Sequence, residues 1–540
     1  MNFQTRFVQV AGGAALVALT AACNKDLNVT NPNQPDVARA ISSPSDVRQL
    51  IGSSYNTVYH AMQGCAKSPC EPDPGIATGS MADVFTMAFG NFGSRFNGQE
   101  PRLAYNNSSA ATDGRVSALP YDAVYGALGA ANDGLLAVGR GIRVATGASA
   151  ADETPQFKAF AWLVQGMALG FESQVWDRGF VVTEDTPAGS ATLVDYKAMR
   201  DASIVSLNKA ITAAAGQNWT IPTEFTPGMT LTASNFTKMA NTLAARVIAY
   251  NARNAAENTA TDWGKVLTYA NAGISSGASP INLQILGDGG NSWGDEMKGY
   301  ADLADGSWVR VDQRIIQEAD PSQPVEYTST TPPGVGNIAD LRFSRGTPNS
   351  SGSIEQQGAD FWFQKSIPYA VSRGVYFFSQ WAHARYIDAS YYNDNGQLGI
   401  APYVLAAEND LLIAEALIRT GGDLSRAATL INKTRVGRGG LAAVTAGTPK
   451  NDLLGAIFYE RDVELFDTGA GQGWFDRRRI DPTVTYNGLA IGNIWGFKGG
   501  SNLQKGTPRH LPLPAKELET LGMTVYTYGG ASPNPVFPEQ

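Results

Sequence analysis

The sequence predicts a mainly α fold, a scaffold of helix pairs that carries long irregular loops and a few short strands. Three observations predict it. Helical segments recur in pairs with alanine on their facing sides, as in ARVIAYNARNAAENTATDWGKVLTYANAGI and AEALIRTGGDLSRAATLINKTR. Alanine allows close approach, so each pair can pack tightly and stack on the next in a tetratricopeptide-like array, here without a strict period. Long stretches rich in Gly, Pro, Asn and Ser separate the pairs, and loops of such length inside a compact protein are usually functional. Late in the chain, Glu460 to Asp481 joins a helix, a Gly-rich turn and a run of aromatic residues and arginines.

The elements follow in order. Ser43 to Met62 is the first helix: Pro44 or Ser45 starts it, and Val47, Leu50, Ile51, Ser54, Tyr55 and Val58 keep one face apolar. Gly64 to Ser117 is Gly- and Asn-rich and holds Phe85, Phe89, Phe92, Phe96 and Tyr105. Helices are expected at Tyr121 to Arg143, Thr154 to Trp176, Asp195 to Ala215, Ser234 to Ala256 and Asp262 to Ser275. Gly277 to Pro402 scatters Trp293, Trp308, Trp362 and Trp381 among turn signals, with a short strand expected at Val375 to Phe378. A last hairpin, Leu411 to Arg419 and Leu424 to Lys433, precedes the helix whose apolar face is Leu454, Ile457, Phe458 and Leu465.

Arg461 falls on that apolar face. An unpaired buried charge costs several kcal/mol, so a carboxylate must meet it, and Glu415 is the expected partner. Thr468 to Gly473 then turns the chain so that Trp474 and Phe475 lie back on the core. Arg509 to Gln540 reads as extended coil wrapping the body.

With 540 residues, 43% of them hydrophobic, the chain can bury a large core. Its 41 basic and 49 acidic residues give a net charge of −8 without a clustered basic footprint, which argues against nucleic acid as a partner. Ten Trp, 20 Tyr and 22 Phe stand beside 58 Gly. Such flat rings first serve packing, and in loops they are what sugar faces or peptides stack on.

The first 22 residues read as an export signal: Arg6 is their single charged side chain and Phe7 to Ala22 is almost wholly apolar or small, too short for a comfortable membrane span. Leu19, Thr20, Ala21, Ala22 and Cys23 are similar to a bacterial lipobox, in which the cysteine is diacylated and becomes the mature N-terminus. Here Leu stands four places before the Cys instead of three, and plain signal-peptidase cleavage is the alternative. Residues 23–42 are polar and Pro-bearing, a tether. Cys65 and Cys70 are read as a disulfide closing a small loop in an oxidising exterior. A metal site would need further soft ligands, and the chain holds only His60, His383 and His510, none near another in sequence.

A search for catalytic motifs returns none: no HExxH, no GxSxG elbow and no phosphate-binding loop. GAGQG at Gly469 to Gly473 has no preceding strand and no clear helix start after it, which argues against a dinucleotide site. Asp288, Asn291 and Asp295 offer oxygen ligands for calcium, but their spacing departs from a calcium loop and a plain turn is the simpler account. Glu460 and Glu464 would suit a glycosidase pair; sharing a helix face beside arginines, they read better as ion-paired.

These residues together resemble the SusD/RagB family, over nearly the whole chain. The lipobox-like Cys23 is followed by LNVTNPNQPD. WLVQGMALGFESQVWDRGFVVTED resembles the family's helix running into a Gly-Asp-Val-Pro-type turn, and PYVLAAENDLLIAEALIRTGGDLSRAATLINKTRVGRGGL its best-marked hairpin. ERDVELFDTGAGQGWFDRRRID is similar to its ERRxELxxEGxRWFDLRR signature, and HLPLPAKEL to its terminal PIPxxE. Trp176 to Phe180 lacks the proline of the usual turn, Thr468, Gly469 and Ala470 displace the compact Glu-Gly, and Pro533, Asn534 and Pro535 replace the closing Gln-Asn-Pro, the marks of a distant branch.

The resemblance implies a single SusD-like domain at 43–540, helical over about 43–276 and loop-rich with the signature over about 277–540. It also implies a non-enzymatic outer-membrane lipoprotein, lipidated at Cys23 and exposed on the cell surface. Such a protein captures oligosaccharides and delivers them to a SusC-like TonB-dependent transporter. A peptide-binding member of the same family is the alternative, and a surface glycoside hydrolase a more distant one. No cofactor is implied. No family motif fixes the ligand contacts. From the aromatic loops we take Phe92, Arg95 and Tyr105, and Asn291, Trp293, Asp295 and Trp308, as candidates: a ring for stacking, with Asn, Asp and Arg to fix hydroxyls.

Overall fold

The computed structural model describes residues 43–64, 74–87, 97–99, 102–111, 115–277, 280–289, 291–295, 297–298, 309–324, 331–367, 370, 372, 378–387, 398–486, 489–490 and 503–530. Helix α1 (Pro44–Gln63) is capped by Ser43, whose hydroxyl accepts the Asp46 N–H, and Pro44 takes the first-turn position where no N–H is needed. Then come α2 (Pro74–Met81), β1 (Phe85–Met87), α3 (Arg115–Gly139), α4 (Thr154–Val175), β2 (Arg178–Phe180), β3 (Leu193–Asp195), α5 (Tyr196–Ala214), α6 (Ala233–Ala249), α7 (Ala255–Ala260) and α8 (Trp263–Asn271). The loop-rich part supplies β4 (Leu283–Asp288), β5 (Val309–Val311), α9 (Gln313–Ala319), β6 (Phe361–Phe363), β7 (Trp381–His383) and β8 (Leu398–Val404). The chain closes with α10 (Ala406–Thr420), α11 (Leu424–Arg435), α12 (Lys450–Glu464), α13 (Gln472–Arg477), β9 (Thr485–Tyr486), β10 (Leu489–Ala490) and α14 (Ala515–Thr520).

The helices form a stacked array, as the paired pattern predicts. α1 packs on α3, α3 on α4, α4 on α5, α5 on α6, α6 on α8, α8 on α10, and α10 on both α11 and α12. One apolar core runs through all of it, from Val47 to Leu518. The strands pair two by two into antiparallel ribbons, β1 with β5, β2 with β3, β4 with β8, β6 with β7 and β9 with β10. Because α8 and α10 touch directly, the stretch between them leaves the array along β4 and returns along β8.

Several boundaries differ from the sequence reading, each for a tertiary reason. α3 begins at Arg115 and runs through Pro120, because Ser117 is fully buried and accepts the Trp176 indole N–H at 2.7 Å. α6 ends at Ala249 and does not continue to Ala256. Asn251 and Arg253 instead turn inward to the carbonyls of Ser173 and Gln174, and Asn254 caps α7. GAGQG does lead into a helix: Gly471 takes a left-handed φ of 77° as the N-cap of α13, and a Cβ there would sit 2.7 Å from the Phe475 ring. The C-terminal stretch is not all coil, since Pro514 starts α14. Of the expected strand Val375 to Phe378, only Phe378 is described, in a bridge to Asp312.

The Glu460 to Asp481 stretch is a clamp of buried charge. Glu415 on α10 receives Arg461 at 2.7 Å, as expected from the sequence, and also Arg479 at 2.8 and 2.9 Å and Arg419 at 2.7 Å. Asp476 takes Arg461 at 3.1 Å and Arg479 as well. Burial alone would raise the Glu415 carboxyl, but Arg479, Arg461 and Arg419 hold it well below the usual carboxylate range. Arg478 reaches carbonyls instead, those of Gln174 (2.8 Å), Arg509 (2.9 Å) and Tyr250 (2.7 Å), between the rings of Trp474 and Phe475. With Arg253 it closes the negative end of α4, where backbone carbonyls lack helical partners. Glu460 and Glu464 are likewise taken, by Arg342 at 2.7 and 3.3 Å, with Arg438 and Arg385 also on Glu464.

Candidate functional site

The turn after β4 places the sequence candidate Trp293. Asp288 accepts the N–H groups of Asn291, Ser292 and Trp293 at 2.9 to 3.0 Å, and the Asn291 amide returns to the Asp288 carbonyl at 2.7 Å. The carboxylate is thus the keystone of a turn, as Asp is suited to be. Ser292 is fixed to α1: its carbonyl accepts the Asn56 amide at 2.8 Å and stands 2.9 Å from His60 Nε2. Trp293 then lies among Tyr55, Tyr59 and His60 of α1, with ring centroids 6.0, 5.7 and 6.1 Å away. It is 7% exposed.

Between this turn and the loop before α6 runs a cleft of about 320 Å³, in the size range of small-molecule sites. Its floor is one face of α1, Gln49, Gly52, Ser53 and Asn56, spaced at three and four residues. Its walls are Ser292 and Trp293 on one side and Glu224 and Phe225 on the other. Gly52 makes room for the far wall: a Cβ there would lie 2.2 Å from the Phe225 ring. Behind Phe225, Arg48 stacks on its ring and is held by Glu224 and Glu153, both at 2.5 Å. The arrangement offers a stripe of amide and hydroxyl groups between the narrow exposed edges of Trp293 and Phe225, 7% and 4% exposed, which suits a hydroxyl-rich ligand.

The other candidates fall elsewhere. Asn291 is exposed at the turn beside the cleft. Asp295 is wholly buried, 3.0 Å from the Lys298 ammonium and also reached by Gln63, so its carboxylate anchors the loop inside and faces no solvent. Burial would lower the Lys298 pKa, but Asp295 and Asp467 outweigh it and raise it. Tyr105 is buried against the C-terminal segment, its N–H donating to the Tyr528 carbonyl at 2.9 Å. The three oxygen ligands considered for calcium therefore do not converge, and among the described residues no group of three or more His, Cys, Asp or Glu is placed to hold a metal ion. Phe92, Arg95, Trp308, Cys65, Cys70 and Cys23 lie outside the described residues.

Sequence reasoning missed Gln49, Ser53, Asn56, Glu224 and Phe225. The signal for the first three was present, a polar stripe opposite the apolar face of α1. Glu224 and Phe225 carry none, since they reach the cleft only through the packing of Phe225 over Gly52 and Phe157. Among the described residues no helix is long and apolar enough to cross a membrane.

No family model and no curated protein matches the chain in sequence. Solved structures do match it in shape. Surface glycan-binding protein A from Bacteroides uniformis is 15% identical with a TM-score of 0.55, over 88% of this chain and 97% of that one. A SusD superfamily protein from Parabacteroides distasonis is 12% identical with a TM-score of 0.59, over 88% and 98%. A SusD-like carbohydrate-binding protein from Bacteroides fragilis is 13% identical with a TM-score of 0.55, over 80% and 86%. The chain thus has a SusD-like fold.

Proposed function

We propose that this chain is a surface glycan-binding protein without catalysis of its own, which captures oligosaccharides and delivers them to a SusC-like TonB-dependent outer-membrane transporter. The observation that carries the reading is the cleft on α1, where the polar stripe Gln49, Ser53 and Asn56 runs between the edges of Trp293 and Phe225. The glycan-binding descriptions of proteins sharing the fold support it. Ser53 is exposed at the cleft floor, so Ser53→Trp plugs the cleft without entering the core. In titration calorimetry against plant and microbial oligosaccharides, Ser53→Trp is expected to weaken binding at least tenfold with an unchanged melting temperature. Binding to peptides alone, or release of shortened sugar, would overturn the reading.

The anchor follows from the lipobox-like Cys23. Cys23→Ala is expected to move the protein from the membrane pellet to the supernatant when expressed without the transporter. Retention in the pellet would overturn lipidation.

A further inference from the structure

Resting on the glycan reading of the α1 cleft, we infer that its ligand class is uncharged oligosaccharide, and that uronate-bearing and other acidic glycans are excluded. The charge of the lining carries this. Among the described residues that line the cleft, Glu224 alone is charged, and it is acidic. The nearby cation, Arg48, is committed: Glu153 and Glu224 hold its guanidinium, and the rings of Phe157 and Phe225 cover it at 5.3 and 5.0 Å. Its side chain is 11% exposed, against 59% for Glu224. Arg48, Glu153 and Glu224 together keep one net negative charge, so a sugar carboxylate entering here meets an acidic wall with no open cation among the described lining residues, and it must still give up its own hydration.

A neutral ring meets different chemistry. Gln49, Ser53 and Asn56 supply amide and hydroxyl groups, and Trp293 and Phe225 supply apolar edges. A like charge placed against the wrong ligand is a common device of specificity.

The test is calorimetry on the full chain with matched series: neutral gluco-, manno- and xylo-oligosaccharides against galacturonate oligomers of equal length, at low and at high salt. The expected result is at least a tenfold preference for a neutral series at low salt, with neutral binding insensitive to salt and the gap narrowing as salt rises. Glu224→Gln is expected to narrow the gap at low salt as well. Uronate binding as tight as neutral binding overturns the class inference and leaves glycan capture standing. Absence of heat with every series overturns both.

Discussion

Glu415→Gln is expected to destabilise the protein by about 3–5 kcal/mol, the range for removing one partner of a buried ion pair. The structure makes this the most damaging single change in the clamp. Glu415 compensates Arg461, Arg479 and Arg419 at once, and without it Asp476 is the carboxylate left to both Arg461 and Arg479 among the described residues. Arg461→Met is expected to cost less, since Glu415 and Asp476 both keep Arg479 and Glu415 keeps Arg419. Urea denaturation of both variants checks the order, and an equal or larger loss for Arg461→Met would contradict this charge accounting. The sign with pH is also set. The Glu415 pKa is depressed in the folded state, so its stabilisation is present above the unfolded carboxylate value and is lost only as pH falls through the lower folded value.

Glu172→Gln is expected to do the reverse and stabilise the protein, by roughly 3 kcal/mol at pH 7, taking about 1.4 kcal/mol per pKa unit. Glu172 sits wholly buried near the C-terminal end of α4, where the helix dipole is negative. Tyr125 donates to one carboxyl oxygen, and the other has no hydrogen-bond partner. Burial pushes the carboxyl up to about 8, against the hydrogen bonds from Tyr125 and Phe180. Here the folded state prefers the proton, so the wild-type loses stability as pH rises from the unfolded carboxylate value toward 8. Gln keeps the acceptor for Tyr125 and has no charge to form. Thermal melts from pH 5 to pH 8 should therefore fall more steeply for the wild-type. Parallel curves would show that Glu172 is ionised at neutral pH or solvated.

The sequence was informative where side chains act locally. The 3.6 periodicity located α1, α4, α5 and α11 to within a few residues, while α10 starts at Ala406, more than a turn before the expected Leu411, and Ser43, Asp195, Asp262 and Asp423 cap their helices with their own side chains. Arg461 on an apolar stripe demanded a carboxylate, and the structure supplies it in Glu415. The companion arginines were not legible, because Arg478 answers to carbonyls of α4 and Tyr250, contributed by residues more than two hundred positions away. The same holds for the candidate site. Trp293 stood out as an aromatic among turn residues, but a Trp does not announce that it will be 7% exposed and packed on Tyr55, Tyr59 and His60 of α1. Asp295 looked like an oxygen ligand in a loop, and Lys298, folded back beside it, together with Gln63 and Tyr59 of α1, turns it inward.

The β4 and β8 ribbon has a further consequence. Its two strands join residues far apart in sequence, with Leu283 opposite Val404 and Asp288 opposite Leu398, while α8 and α10 already hold each other beneath it. The ribbon therefore acts as a socket. Because closing a loop costs entropy that grows only with the logarithm of its length, the surface turns of the segment plugged into it can lengthen or shorten at little expense. Its Arg342 and Arg385, by contrast, hold Glu460 and Glu464 on α12 and tie it to the array. The turns between those anchors are where the chain can vary, while the anchors themselves, the helices and their arginine clamp must stay as they are.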